Sequence, residues 1–160
     1  MESIKIKNTL EQINSRERLV ELERSGKYLF HGTSEIVDVF EPRQAMNFDG
    51  EKMVEDDKPG VFASAEIEIP IFRSIFSSTN MREKEGSFKT GMADHNDHVV
   101  TSANRDAIEA VRGETGFVYV LNKKDFAHRK GNEYIAYKPV KPVAVCETSY
   151  KDITEVVEIE

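Results

Sequence analysis

The sequence has a single cysteine, Cys146, so no internal disulfide can form. That fits a reducing compartment. No apolar run approaches the roughly 18 residues that a membrane-spanning helix needs. The N-terminal residues, Met1-Glu2-Ser3-Ile4-Lys5-Ile6-Lys7, lack the apolar core and small-residue cleavage site of a signal peptide. Positive charge is in short supply: 22 Lys and Arg against 29 Asp and Glu give a formal net charge of −7. A surface that tracks phosphate backbones is usually basic, so broad nucleic-acid binding and docking on an anionic membrane are both disfavoured. A small anionic ligand is still allowed, because one cleft needs only one or two local cations and some backbone N–H groups. There is no internal repeat, no low-complexity segment, no Gly-rich phosphate loop and no Ser-His-Asp nucleophile pattern. The expectation is a soluble, cytoplasmic protein with no membrane partner.

What is present suits one globular domain over residues 1–160. The chain has 160 residues, 39% hydrophobic and 9% aromatic, enough to bury a core without staples. Leu10, Ile13, Leu19 and Leu22 recur at roughly helical spacing and predict a helix over 8–25, stopped by Gly26. Tyr28-Leu29-Phe30-His31 reads as a short buried strand ended by Gly32. Residues 41–60, with Pro42, Gly50, Pro59, Gly60 and the acidic Glu55-Asp56-Asp57, read as a long mobile loop. Val61-Phe62-Ala63 reads as a strand, and 64–78 as a helix or irregular turn disturbed by Pro70. Residues 80–100 give no clear pattern. Ala103–Arg112 predicts a helix with Asn104 as N-cap and Gly113 as stop. Strands are expected at 117–121, 133–137 and 143–146, with another in 154–159. An early helix and late strands point to an α+β fold.

Several residues invite a chemical reading. His31 ends an apolar strand and offers a donor and an acceptor, while Gly32 beside it lets a ligand approach the backbone. A half-buried structural histidine is the plainer alternative. Glu133 opens a strand with apolar neighbours on both faces, so its carboxylate is either partly buried or simply reaches water. His95 and His98 have a spacing that can bind metal, but no third ligand is evident and a solvated loop explains them better. No metal is expected. Cys146 lies in an apolar strand and reads as core.

Three blocks together resemble a family. Gly131-Asn132-Glu133-Tyr134-Ile135-Ala136-Tyr137 resembles the segment around the catalytic glutamate of the poly(ADP-ribose) polymerase branch of ADP-ribosyltransferases. Phe30-His31-Gly32-Thr33 resembles that family's His-Gly-Ser/Thr motif. Pro59-Gly60-Val61-Phe62-Ala63-Ser64 resembles its Gly-hydrophobic-aromatic-Ala segment, and the family's tyrosine nine positions past the alanine falls here on Phe72. The resemblance implies an ADP-ribosyltransferase-like α+β fold, with antiparallel sheets forming a central cleft flanked by helices. It implies NAD as substrate, held by His31, Gly32, Thr33 and Phe72. His31 would bond the adenosine-side ribose, Gly32 the nicotinamide carboxamide, and Phe72 would stack on the nicotinamide ring. Glu133 would hold the ribose 2′-hydroxyl. The nicotinamide–ribose bond breaks through an oxocarbenium-like state, which a fixed carboxylate stabilises.

Arg43 reads first as an ordinary surface arginine; the alternative is a grip on the pyrophosphate. Ser64 either contacts ligand or caps the following helix. Two departures matter: Phe72 stands for tyrosine, and Ile69 stands where a serine often contacts the carboxamide. They keep open a binding module of the same fold that holds NAD, ADP-ribose or a protein partner without turnover. A third possibility, an RNA 2′-phosphotransferase, is disfavoured by the acidic balance and by the carboxylate at 133. The acceptor of any ADP-ribosyl group is not legible.

Overall fold

A computed structural model describes residues 10–48, 53–95 and 98–160. The fold is mixed α+β and mostly sheet. Strand β1 (Glu11–Ile13) leads into helix α1 (Arg16–Ser25), followed by β2 (Tyr28–Thr33), β3 (Arg43–Phe48) and β4 (Met53–Ser64). Helix α2 (Glu68–Ile75), the single turn α3 (Ser78–Met81), β5 (Thr90–Asp94) and β6 (Val99–Asn104) come next. Helix α4 (Arg105–Val111) then precedes β7 (Thr115–Asn122), β8 (Ala127–Lys130), β9 (Glu133–Ala136), β10 (Ala144–Ser149) and β11 (Val157–Ile159). The large sheet runs β1-β10-β7-β2-β4-β9-β8, with β3 added to β4, and a smaller sheet runs β11-β6-β5. Within the large sheet only β1–β10 is parallel.

The predicted first helix is shorter than its apolar stripe suggests. Ser15 is extended and its hydroxyl accepts from the Arg18 N–H, which starts α1 there, and Gly26 ends it in the left-handed conformation. Upstream, Ile13 pairs with Cys146 on β10, so it is buried as part of a strand and not of a helix. Asn8 and Thr9 lie outside the described residues.

The expected loop over 41–60 is instead a β3–β4 ribbon, with residues 49–52 and the acidic side chains of 55–57 outside what is described. Its ladder shifts register between Arg43 and Ala45, which face Gly60 and Asp56. Pro59 falls inside that irregularity, where its missing N–H breaks no ladder bond. Pro70 is likewise harmless, because it sits in the first turn of α2, where an N–H has no helical partner. The unassigned stretch 80–100 holds the end of α3, all of β5 and the start of β6. Asn104 caps α4 as expected, accepting from the Ala107 N–H at 3.1 Å.

Strand alternation sorts the core. Phe30, Val118 and Val120 face α1 and α2 together with Leu19, Ile67 and Ile71. Leu29, Tyr119 and Leu121 face the other way, against Phe40, Val61 and Val140. Helix α2 packs very closely on the first face. A Cβ at Gly32 would lie 1.8 Å from the Pro70 carbonyl oxygen, and one at Gly116 would lie 2.0 Å from that of Ser74. Two carbonyls one helical turn apart thus rest on two side-chain-free spots of neighbouring strands. Gly32 does not end β2, which continues to Thr33.

Candidate active-site cleft

Strands β2 and β4 share a single register pair, Phe30 with Ser64, and then separate. Beyond that point the Phe62 carbonyl has lost its ladder partner, and His31 replaces it: Nδ1 lies 2.7 Å from the Phe62 oxygen. A carbonyl only accepts, so Nδ1 carries the hydrogen and Nε2 keeps its lone pair. Burial, opposed by that bond and assisted by the charges of Arg73 and Arg43, holds the imidazole below its usual pKa. The ring also packs on Phe40 at a centroid distance of 4.8 Å.

The gap between the strands opens into two cavities. One, of about 370 Å³, is lined by Gly32, Ser64, Ile69, Pro70, Asp94 and Lys130, among others. The other, of about 450 Å³, is lined by Thr33, Glu35, Val39, Phe40, Glu41 and Arg43, among others. His31, Phe62, Arg73 and Glu133 line both. The Tyr119 hydroxyl fixes the wall of the second lobe, accepting from the Val37 N–H at 2.8 Å and donating to the Glu35 carbonyl.

Glu133 starts β9 directly across from Ser64. Its carboxylate pairs with Arg129 of β8, whose guanidinium also lies over the Phe62 ring. The carboxylate is therefore held in one orientation yet stays partly open to the cleft. Ser64 donates to Glu66 Oε1 at 3.0 Å and accepts from the Glu66 N–H, so the hydroxyl both lines the cleft and braces the start of α2. The Glu66 carboxylate also accepts from the N–H groups of Glu68 and Ile69.

Most of the residues expected at a site are brought together: His31, Gly32, Thr33, Arg43, Ser64 and Glu133 all line the cleft. Gly32 needs its bare Cα chiefly for the approach of α2. The Thr33 hydroxyl is engaged in accepting from the Glu35 N–H at 3.1 Å.

Phe72 is the correction. It is 1% exposed and stacks on Phe76 at 4.5 Å, in a core with Ile75, Ala103 and Ala107. Helix α2 presents Ile69, Pro70 and Arg73 to the cleft, whereas Phe72, about 100° round the axis from Arg73, turns into the core. The aromatic ring common to both cavities is Phe62, joined by Phe30 in the first and Phe40 in the second. Ile69 does line the cavity, so no hydroxyl stands at that wall position.

Sequence reasoning also missed Arg73, Arg129, Asp94 and Lys130. Arg73 had a usable signal, since it lies four residues after Ile69 and so shares its helical face. Arg129 had none, because its pairing depends on the β8–β9 register, which is irregular there.

No group of three or more His, Cys, Asp or Glu side chains placed to hold a metal occurs among the described residues. His95 and His98 are exposed, with the His95 N–H donating to the His98 carbonyl at 2.9 Å and their rings 4.9 Å apart. Cys146 is buried, and burial pushes its thiol up to about 11. Among the described residues no helix is long and apolar enough to cross a membrane.

Glu66 couples stability to pH. Burial raises its carboxyl to about 7 from an ordinary 4.5. The folded state therefore holds a proton there that the unfolded chain releases, and this stabilising contribution is lost as pH rises from 4.5 to about 7. His31 acts oppositely: its depressed value contributes stability that is lost as pH falls below the ordinary 6.5. Comparing the protein with Glu66→Gln cancels the histidine effect. Urea unfolding at pH 5 and pH 8 is expected to show the wild type losing about 2 kcal/mol relative to that variant. A constant difference across that range would contradict the buried, protonated state.

No family model, no curated protein and no solved structure matches the chain.

Proposed function

We propose that the chain is an NAD-consuming ADP-ribosyltransferase, or an NAD glycohydrolase using the same cleft. The observation that carries this reading is the convergence of His31 and Glu133, separated by 102 positions in the sequence, on one cleft formed where β2 and β4 part. In this reading His31 presents an Nε2 acceptor to a ribose hydroxyl. Glu133, oriented by Arg129, accepts from the hydroxyl next to the breaking bond and stabilises the positive charge that grows on the ribose. Phe62 supplies an apolar wall for a ring.

A second reading, a binding module without turnover, is favoured by one feature. The Glu133 carboxylate already has a strong partner in Arg129 and is not free to serve ligand alone. The two readings separate on one measurement. Purified protein is mixed with NAD and free nicotinamide is followed. Release that needs Glu133 supports the enzyme. NAD or ADP-ribose binding with no release, with and without candidate acceptors, supports the module.

A further inference from the structure

The two lobes meet at a waist, and of the four residues common to both only Arg73 is a cation with no partner. It leaves the last turn of α2, is exposed, and makes no hydrogen bond or ion pair among the described residues. Arg43 is in the same condition on the wall of the larger lobe. Both lie near enough to His31 for their charge to oppose its protonation. Arg129, by contrast, is occupied by Glu133. The acidic lining of the larger lobe is Glu35, Glu41 and this paired Glu133.

The other common device for an anion, a helix N-terminus, is closed in this cleft. The Ile67 N–H donates to Glu23 at 2.9 Å, those of Glu68 and Ile69 donate to Glu66, and Pro70 has none. An anion entering the cleft therefore meets two open guanidinium forks, whose planar geometry suits phosphate oxygens. Each lobe has the volume of a small-ligand site, roughly 300 Å³ or more.

We propose that Arg73, together with Arg43, is the phosphate-gripping pair of this cleft, seating the central pyrophosphate of a dinucleotide at the waist so that one ring-bearing arm enters each lobe. The identity of the dinucleotide as NAD rests on the function proposed above; the grip on pyrophosphate does not. The offset counted from Ala63 falls on Phe72, one residue before this cleft-lining arginine.

His31 is the reporter. The full chain is titrated with inorganic pyrophosphate while the His31 imidazole is followed by NMR. Pyrophosphate is expected to raise the imidazole pKa, because the anion offsets both arginines. In Arg73→Gln that pKa is expected to be higher before any ligand is added, and pyrophosphate and ADP-ribose affinity to fall by about tenfold or more. Arg43→Gln should show a smaller fall, and adenosine, which has no phosphate, should bind both variants as it binds the wild type. Lys124→Gln removes an exposed cation outside the cleft and should change nothing.

Unchanged pyrophosphate and ADP-ribose affinity in Arg73→Gln would overturn the proposal, as would a wild-type His31 that ignores pyrophosphate. Nicotinamide release with NAD affinity untouched by Arg73→Gln would sink the grip and spare the enzyme. Pyrophosphate capture that depends on Arg73, without NAD turnover, would do the reverse.

Discussion

Glu133→Gln is expected to reduce nicotinamide release from NAD by about 10²–10³-fold while leaving the fold intact. The argument rests on charge alone. Glutamine keeps the length of the side chain and an oxygen acceptor, so hydroxyl contact and packing survive. What goes is the negative charge that opposes the growing oxocarbenium charge, and that charge matters more in the transition state than in bound NAD. Affinity for ADP-ribose should therefore change little. Arg129→Met is expected to cause a smaller loss, about tenfold, because the carboxylate remains but is no longer oriented. The check is a paired nicotinamide assay with far-ultraviolet circular dichroism on each variant. A Glu133→Gln protein as active as the wild type would remove the residue from the chemistry and with it the proposed mechanism.

Gly32→Ala is expected to destabilise the protein by about 3–4 kcal/mol. The added methyl would lie 1.8 Å from the Pro70 carbonyl oxygen, which belongs to helix backbone and cannot swing aside. Relief requires α2 to move off the sheet. That movement would loosen Phe30, Ile67 and Ile71 in one core cluster and displace Arg73 from the cleft wall. Loss of stability and loss of ligand binding should thus appear together. Gly113→Ala is the control, since nothing lies within 4 Å of its added carbon and its backbone is not left-handed; its effect should stay within about 0.5 kcal/mol. Urea midpoints of the two variants decide the matter. A Gly32→Ala protein as stable as the control would mean that α2 sits farther from β2 than described.

Much of this architecture was legible in the sequence. The strands around Leu29, Val118–Val120 and Ile135 are dense in apolar residues, and Asn104 with Gly113 brackets α4. Local chemistry fixed these segments, so reading it sufficed. The β3–β4 ribbon was not legible. A two-stranded ribbon is held by its backbone ladder, and an acidic, proline-containing segment gives no hydrophobic alternation to detect. Strand β1 was hidden for a different reason: three residues that pair with β10 across the chain look locally like one more turn of helix.

His31 and Glu133, each legible in the sequence as part of a short block, both line the cleft. Phe72 was misassigned because an offset counted along a sequence does not carry the rotation of a helix. One residue of error is about 100° around the axis, enough to exchange a cleft wall for the core. Arg73 at the waist and Arg129, the partner of Glu133, emerge only once α2 and β8 have been set beside β4 and β9.

The single register pair between β2 and β4 leaves the large sheet joined at its middle like two pages at a spine, with the His31 imidazole as the stitch beyond it. The strands from β1 to β2 form one page, and β4, β9 and β8 the other. If the pages spread, the bond to the Phe62 carbonyl stretches, and the constraint that keeps the hydrogen on Nδ1 goes with it. The ring is then free to exchange tautomers, and Nε2 ceases to be a dedicated acceptor. Cleft width and the proton pattern of one histidine are thereby a single variable, so a ligand thick enough to pry the sheet apart would also abolish the acceptor that helps to hold it.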